Sequence, residues 1–369
     1  MDTADKMSEI DNVQDEDMII SPRNLLPRLS FVDISDRLAV MRIQEDSIYR
    51  CSDYVSWTKH CFEDKDDDCH HGEDDGNGSN RNNHNTNHAR QQHHKNRQFI
   101  PVDEECRMKM CEWCYQVIDF CKLRRETVDI SMSYLDRYAS LARNVLMDRR
   151  KYQLAAMTSL YVAIKIFEPP LPISSVSDLS RGVYSEDEIS EMEVELLFTL
   201  NWRVSAPTIL GFIYHMVSFI VEEASDENVS KLLDFSQFQA ELAVGDYSFA
   251  TQRSSSIALA ALMNSMGILD PHSFPFSLRY RLLKAIEVAC NVFPFDSEIN
   301  ALRERLSDVF GKSAGHPLPQ IYEFSLHDFA LYDSGNAAQD GIMNGKKSAG
   351  CKAPHVMGEE TIMMETESR

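Results

Sequence analysis

Cysteine and histidine are the residues of this sequence whose spacing could hold a metal ion. Cys111 and Cys114 have the spacing of a zinc-ligand pair, and Cys69 is followed directly by His70 and His71. Cys111 and Cys114 lie on one apolar helical arc with no second pair nearby, which favours core packing. The histidines lie in a polar tract, where such residues are commonly just solvated. We therefore predict no metal site and no cofactor.

No set of residues in the sequence supports a catalytic function. The stretch from Gly341 to Lys347 superficially resembles a phosphate-binding loop, but its spacing is one residue short and no strand precedes it. No nucleophile with a neighbouring base stands out elsewhere. The sequence predicts a protein that is not an enzyme.

Two charged residues stand on helical arcs that are otherwise apolar. Lys165 is the single charge between Leu154 and Phe167. Glu193 lies in a helix that should begin at Ser185, where Ser185 and the glutamate three positions later predict a capping box. At about 100° per residue, the arc of Glu193 is shared with five apolar residues: Ile189, Met192, Leu196, Leu197 and Leu200.

A third charge, Arg107, shares an arc with Met110 and Cys114. An unpaired buried charge costs several kcal/mol, so Arg107 would need a carboxylate, and Asp136 on the next helix is a plausible partner. Two interpretations remain open at this point. Each long side chain could lay its stem along apolar surface and keep its charge in water. Alternatively, Arg107 and Asp136 pair internally, while Lys165 and Glu193 line a surface that a partner covers.

The elements that must position these residues are helices throughout, with no strand alternation between Val102 and Phe310. A preceding amphipathic helix is predicted from about Ser30 to Trp57. The first group of five helices is predicted near 105–123, 127–141, 150–167, 173–181 and 185–200. The second group is predicted near 207–223, 227–249, 253–267, 276–291 and 296–310.

Composition divides the rest of the chain. Residues 1–29 are predicted to be a disordered leader, 62–97 a disordered insertion rich in Asp, Asn and His, and 313–369 a disordered tail. The helical domains are then 30–204 and 205–312.

The formal net charge of −21 disfavours nucleic acid as a partner, because that binding depends on Lys and Arg neutralising phosphates. No run of 18 apolar residues predicts a membrane span, and the acidic N-terminus does not resemble a secretory signal. The expected location is the nucleus and cytoplasm.

The stretch from Arg107 to Thr208 resembles the cyclin box. The matching segments occur in family order and spacing: RMKMCEWCYQV, SYLDRYAS, KYQLAAMTSLYVAIKIFEPP and MEVELLFTLNWRVSAPT. The second repeat is similar to cyclin C-terminal folds through AELAVGDYSFATQRSSSIALAALMNSM. The resemblance implies an all-α fold of two five-helix cyclin-box repeats.

The resemblance also implies roles for individual residues. It assigns Arg107 and Asp136 to an internal ion pair and Leu154 to the core. Kinase contacts are implied for Lys165, Glu193, Ile166, Phe167 and Glu168. A substrate-docking patch is implied for Met110, Trp113, Gln116, Tyr152 and Gln153. Lys109 and Cys106 stand where that patch is usually aliphatic, which weakens the expectation that substrates or inhibitors bind there.

The implied function is that of a cyclin, a regulatory subunit that forms a heterodimer with a cyclin-dependent Ser/Thr protein kinase, activates it and controls cell-cycle progression. The alternative within the same fold is a transcription-associated adaptor that acts with an RNA polymerase II kinase.

Overall fold

The computed structural model describes residues 26, 28–63, 101–320 and 325–332, with side chains as far as 59 in the first helical segment. These residues form helices and connecting segments, with no strand among them. The chain divides into two units, Met1–Glu323 and Phe324–Arg369, and the described part of the second is a helix at 326–332. Nearly all of the predicted insertion at 62–97, and most of the predicted leader and tail, lie outside the described residues.

Two helices precede the first five-helix set. These are α1 (Phe31–Ser47) and α2 (Val55–Glu63). The first set then comprises α3 (Glu104–Phe120), α4 (Glu126–Leu141), α5 (Arg149–Phe167), α6 (Ile173–Leu179) and α7 (Glu186–Thr199). A short 3-10 helix, Arg143–Met147, joins α4 to α5.

The prediction of one helix from Ser30 to Trp57 is wrong, because the chain leaves the helix after Ser47. The intervening segment carries Tyr54 into the interior, where its hydroxyl donates to Asp136 Oδ1 at 2.8 Å. Asp53 Oδ1 then accepts from the Ser56 amide at 3.0 Å and starts α2. The break in the helix thus places Tyr54 in the interior.

Helix α5 is the buried centre of its set, as its nearly all-round apolar sequence predicts. Every residue from Ala155 to Ile164 is buried, and the helix packs against α3, α4, α6 and α7. Small side chains on several faces allow this close approach. The prediction of Leu154 as a core residue needs correction, because Leu154 is only partly buried. Leu154 lies on the stripe of α5 that also carries Lys165, and this stripe reaches the surface.

The second set repeats this arrangement. It comprises α8 (Ile209–Val217), α9 (Asp226–Gly245), α10 (Ser254–Ile268), α11 (Phe276–Cys290) and α12 (Ser297–Ala314). Its third helix, α10, is buried from Ser255 to Gly267 and packs against α8, α9 and α12. Helix α8 begins later than predicted because the Thr208 side chain accepts from the Gly211 amide at 2.9 Å and caps it.

Both sets belong to the first compact unit, and α1 is attached to the second of them. Helix α1 packs on α8 and α11, and its Glu45 accepts from the Ser255 hydroxyl at the start of α10. The predicted boundary between 204 and 205 therefore falls inside one packed unit and stays a prediction. Among the described helices, none has both the length and the apolar character that a bilayer crossing requires.

Candidate functional site

Lys165 and Glu193 meet at the surface of the first helix set. Lys165 Nζ lies 2.8 Å from Glu193 Oε1, with side chains 51% and 15% exposed. The hydrogen bond that Lys165 donates to Glu193 raises the pKa of Lys165. The ammonium also lies 5.5 Å from the centre of the Tyr161 ring. The pair presents charge to solvent while it rests on apolar surface.

Helix α7 holds Glu193 at the edge of a buried face. The predicted capping box is confirmed, since the Ser185 side chain accepts from the Glu188 amide and Glu188 accepts from the Ser185 amide. The apolar arc points inward and consists of Ile189, Met192, Leu196, Leu197 and Leu200. Glu193 lies on the same face of α7, and its methylene groups extend along that face toward solvent.

Exposed apolar side chains continue from this pair along α7. Val194 and Phe198 are one turn apart on the outer face, and the Phe198 and Trp202 rings meet edge to face with centroids 6.1 Å apart. All three side chains are more than half exposed. On α5, Ile166 is exposed beside Lys165. We call Lys165, Glu193, Ile166, Val194, Phe198 and Trp202 the α5–α7 surface.

Trp202 has an unusual backbone. Asn201 and Trp202 both have positive φ angles, 51° and 58°. The left-handed conformation costs an ordinary L-residue about 1–2 kcal/mol. This conformation ends α7, because the Trp202 amide donates to the Leu197 carbonyl at 2.9 Å in a C-terminal turn. The turn leaves the indole in solvent.

Sequence periodicity missed Phe198 and Trp202 as site residues. The available signal was an aromatic side chain, Phe198, on the polar side of an otherwise regular amphipathic helix.

Two of the other predicted kinase contacts are less accessible. Phe167 is partly buried. The Glu168 side chain is almost fully buried, because its Oε1 accepts from Arg124 Nε at 3.0 Å and from Thr127 Oγ1 at 2.7 Å. Glu168 therefore ties the end of α5 to α4, and its role as a kinase contact stays a prediction.

Arg107 and Asp136 form a buried bidentate ion pair. Arg107 Nε and Nη2 donate to Asp136 Oδ1 and Oδ2, both at 2.8 Å. Burial alone would lower the pKa of Arg107, but the Asp136 carboxylate holds it well above its ordinary value. Arg107 Nη1 also donates to Val244 O at 2.9 Å, and Tyr54 donates to Asp136. This pair connects α3, α4, α9 and the segment before α2.

Two residues of the predicted docking patch are buried. Tyr152 is buried, with its hydroxyl 3.3 Å from that of Tyr54, and Met110 is also buried. Gln116 and Gln153 are exposed and Trp113 is partly buried. The inclusion of Tyr152 is wrong, because the segment before α2 covers that side chain.

The cysteine pair on α3 behaves as core. Cys111 and Cys114 are buried, and burial raises the pKa of the Cys111 thiol to about 12. Within the described ranges, no group of three or more His, Cys, Asp or Glu residues could hold a metal ion. The Cys69, His70 and His71 cluster lies outside those ranges.

Comparisons with known proteins show that the chain is similar to cyclins. Residues 79–205 match the family model described as cyclin, N-terminal domain. The chain is 27% identical over 234 residues to Cyclin-A1-1 of Oryza sativa subsp. japonica, covering 62% of this chain and 43% of that protein. It is 32% identical over 181 residues to the G2/mitotic-specific cyclin C13-1 of Daucus carota, covering 48% of this chain and 51% of that protein.

Among solved structures, a viral cyclin from herpesvirus saimiri superposes with a TM-score of 0.46 at 16% identity, over 58% of this chain and 90% of that one. The chain spans about half the length of the curated relatives described above.

Proposed function

This chain is a cyclin-family protein, and from that premise we propose that it binds and activates a cyclin-dependent Ser/Thr protein kinase and so controls cell-cycle progression. The observation that carries the proposal is the Lys165–Glu193 pair, set in the exposed apolar α5–α7 surface. The names of the related proteins, one of them G2/mitotic-specific, favour the cell cycle over transcription. The protein acts in the nucleus and cytoplasm as a regulatory subunit without catalytic activity.

The composition of the α5–α7 surface suits a protein partner. Phe198 and Trp202 supply the aromatic anchors that commonly dominate interface energies. Lys165 and Glu193 are paired before any partner arrives. A preformed pair has already given up part of its hydration and side-chain freedom, so covering it is less costly than covering two separate charges.

The mechanism is allosteric. A rigid surface built on two packed helices holds the kinase's mobile regulatory helix inward. The glutamate of that helix can then pair with the strand lysine that orients ATP. The buried centre of α5 and the capping box of α7 keep this surface in one conformation.

The test begins with a tagged full-length chain in a synchronised culture, captured and analysed by mass spectrometry. We expect a cyclin-dependent kinase to co-purify and its peptide phosphorylation to rise with added chain. Lys165→Ala with Glu193→Ala should weaken kinase affinity by about tenfold or more, as loss of a hot-spot pair does.

Lys151→Ala is the matched control, because Lys151 lies at the other end of α5 and also pairs with a glutamate of α7, Glu195, at 2.8 Å. Kinase affinity that is unchanged in the double variant, or equally reduced in the control, would refute the assignment of the surface. Failure of any such kinase to co-purify would refute the function.

A further inference from the structure

Arg137 is a buried cation without a carboxylate partner. It is 5% exposed, and its Nη2 donates to the backbone oxygen of Arg203 at 2.9 Å. Its Nη1 is buried and finds no acceptor among the described residues. The Tyr49 ring lies 4.9 Å from the guanidinium carbon. Arginine stays protonated in proteins, so Arg137 brings an uncompensated charge into the interior.

The carboxylate next to Arg137 in sequence is already engaged. Asp136 is held by Arg107 and Tyr54. Arg137 lines a cavity together with Asp136 and four other carboxylates: Glu45, Asp46, Asp129 and Glu298. Glu45 accepts from Arg42 and Ser255, and Asp46 accepts from Arg253. None of these five carboxylates forms an ion pair with Arg137 among the described residues.

Arg137 also lines a second cavity of about 240 Å³, together with Arg50 and Arg203. The remaining lining residues are uncharged: Ile48, Ser140, Leu141, Thr199, Leu200 and Asn201. Arg50 and Arg203 are exposed, and neither forms an ion pair with a carboxylate in the described part of the chain. We call this the three-arginine cavity.

Such a cavity contrasts with the rest of the molecule. The chain has 58 acidic and 37 basic residues, so carboxylates are plentiful. Other arginines of the first helix set, such as Arg124, Arg149 and Arg150, each pair with one. Three guanidinium groups thus surround one cavity whose lining contains no acidic residue.

We propose that the three-arginine cavity binds a phosphate group, either inorganic phosphate or the phosphate of a phosphorylated side chain. Guanidinium groups match the oxygens of phosphate with paired donors and keep their charge at every physiological pH. The hydroxyls of Ser140 and Thr199 already donate to backbone oxygens of Arg137 and Glu195. The three arginines therefore provide the recognition, and the bound dianion supplies the negative charge that balances Arg137.

The position of the cavity gives the bound group a structural consequence. Arg203 directly follows Trp202 of the α5–α7 surface, Arg50 follows α1, and Arg137 belongs to α4. A phosphate would tie these three segments together and stabilise the folded chain in proportion to its occupancy.

The experiment measures binding to the full-length chain by isothermal titration calorimetry at constant ionic strength. The probes are sodium phosphate, a Gly-phosphoserine-Gly peptide and the same peptide without phosphate. Arg203→Ala and Arg50→Ala remove exposed arginines of the cavity, and Arg143→Ala removes an exposed arginine elsewhere in the same helix set.

We expect one phosphate-containing probe to bind at a single site, with affinity reduced about tenfold or more by Arg203→Ala and by Arg50→Ala, and unchanged by Arg143→Ala. Tighter binding of the phosphopeptide than of free phosphate would identify a phosphorylated side chain as the ligand, and the reverse would identify the free ion. No binding of either probe would overturn the proposal. Equal losses in all three variants would also overturn it, because they would show only general charge attraction.

Discussion

Two of the ion pairs in the first helix set have the same length and opposite surroundings. Arg107–Asp136 and Lys165–Glu193 each join two neighbouring helices at 2.8 Å. The side chains of the first pair are 3% and 6% exposed, and those of the second are 51% and 15% exposed. Distance alone would give the two pairs the same role. Burial separates them, because removing one partner of a buried pair leaves an unsolvated charge, while an exposed pair can be replaced by water.

The largest effect is expected at the buried pair. Arg107→Ala should lower the free energy of unfolding by about 3–5 kcal/mol, because Asp136 would be left charged and buried. Urea denaturation of the variant and the wild type measures the difference. A loss below about 1 kcal/mol would mean that the interior hydrates freely at this point, and the contrast between the two pairs would fail.

A smaller loss is expected from the hydroxyl that supports the buried pair. Tyr54→Phe keeps the ring but removes the donor to Asp136 Oδ1, and hydrogen bonds to charged groups contribute about 1.5–3 kcal/mol. The same denaturation experiment applies. Kinase affinity should be unchanged, since Tyr54 is buried away from the α5–α7 surface. A neutral result would show that water replaces the hydroxyl.

At the exposed surface, stability and binding should move in different directions. Trp202→Gly relieves a left-handed residue, so the free energy of unfolding should rise by up to about 1 kcal/mol. Kinase affinity should nevertheless fall by about tenfold or more, because an aromatic anchor is lost.

Asn201→Gly is the matched control for Trp202→Gly, since it changes the neighbouring left-handed residue and removes no aromatic ring. It should leave kinase affinity unchanged. If both variants weaken binding equally, the backbone conformation matters and the indole does not.

The sequence was sufficient to predict the two five-helix sets and to single out the charged residues of both pairs, because these depend on periodicity along one helix. Arg107 and Glu193 stood on arcs that were otherwise apolar, and the structure brings each to an opposite charge. The capping box of α7 was also visible in the spacing of Ser185 and Glu188.

What the sequence could not show depends on contacts between distant segments. The burial of Tyr152 could not be predicted, because Tyr152 contacts Tyr54 from a distant segment of the chain. The Glu168 side chain is buried because Arg124 and Thr127 of a different helix region engage it. The sequence does not show that Arg137 lacks a carboxylate partner. Asp136 is adjacent in sequence but pairs with Arg107.

The smallest expected change in stability accompanies the most direct test of the surface pair. Lys165→Glu combined with Glu193→Lys keeps an ion pair between α5 and α7 but reverses what a partner meets. The free energy of unfolding from urea denaturation should change by no more than an exposed pair contributes, about 1 kcal/mol. Kinase affinity measured by biolayer interferometry should fall by about tenfold or more. Undiminished kinase affinity in this folded variant would contradict the account, because the pair would then serve only to join the two helices.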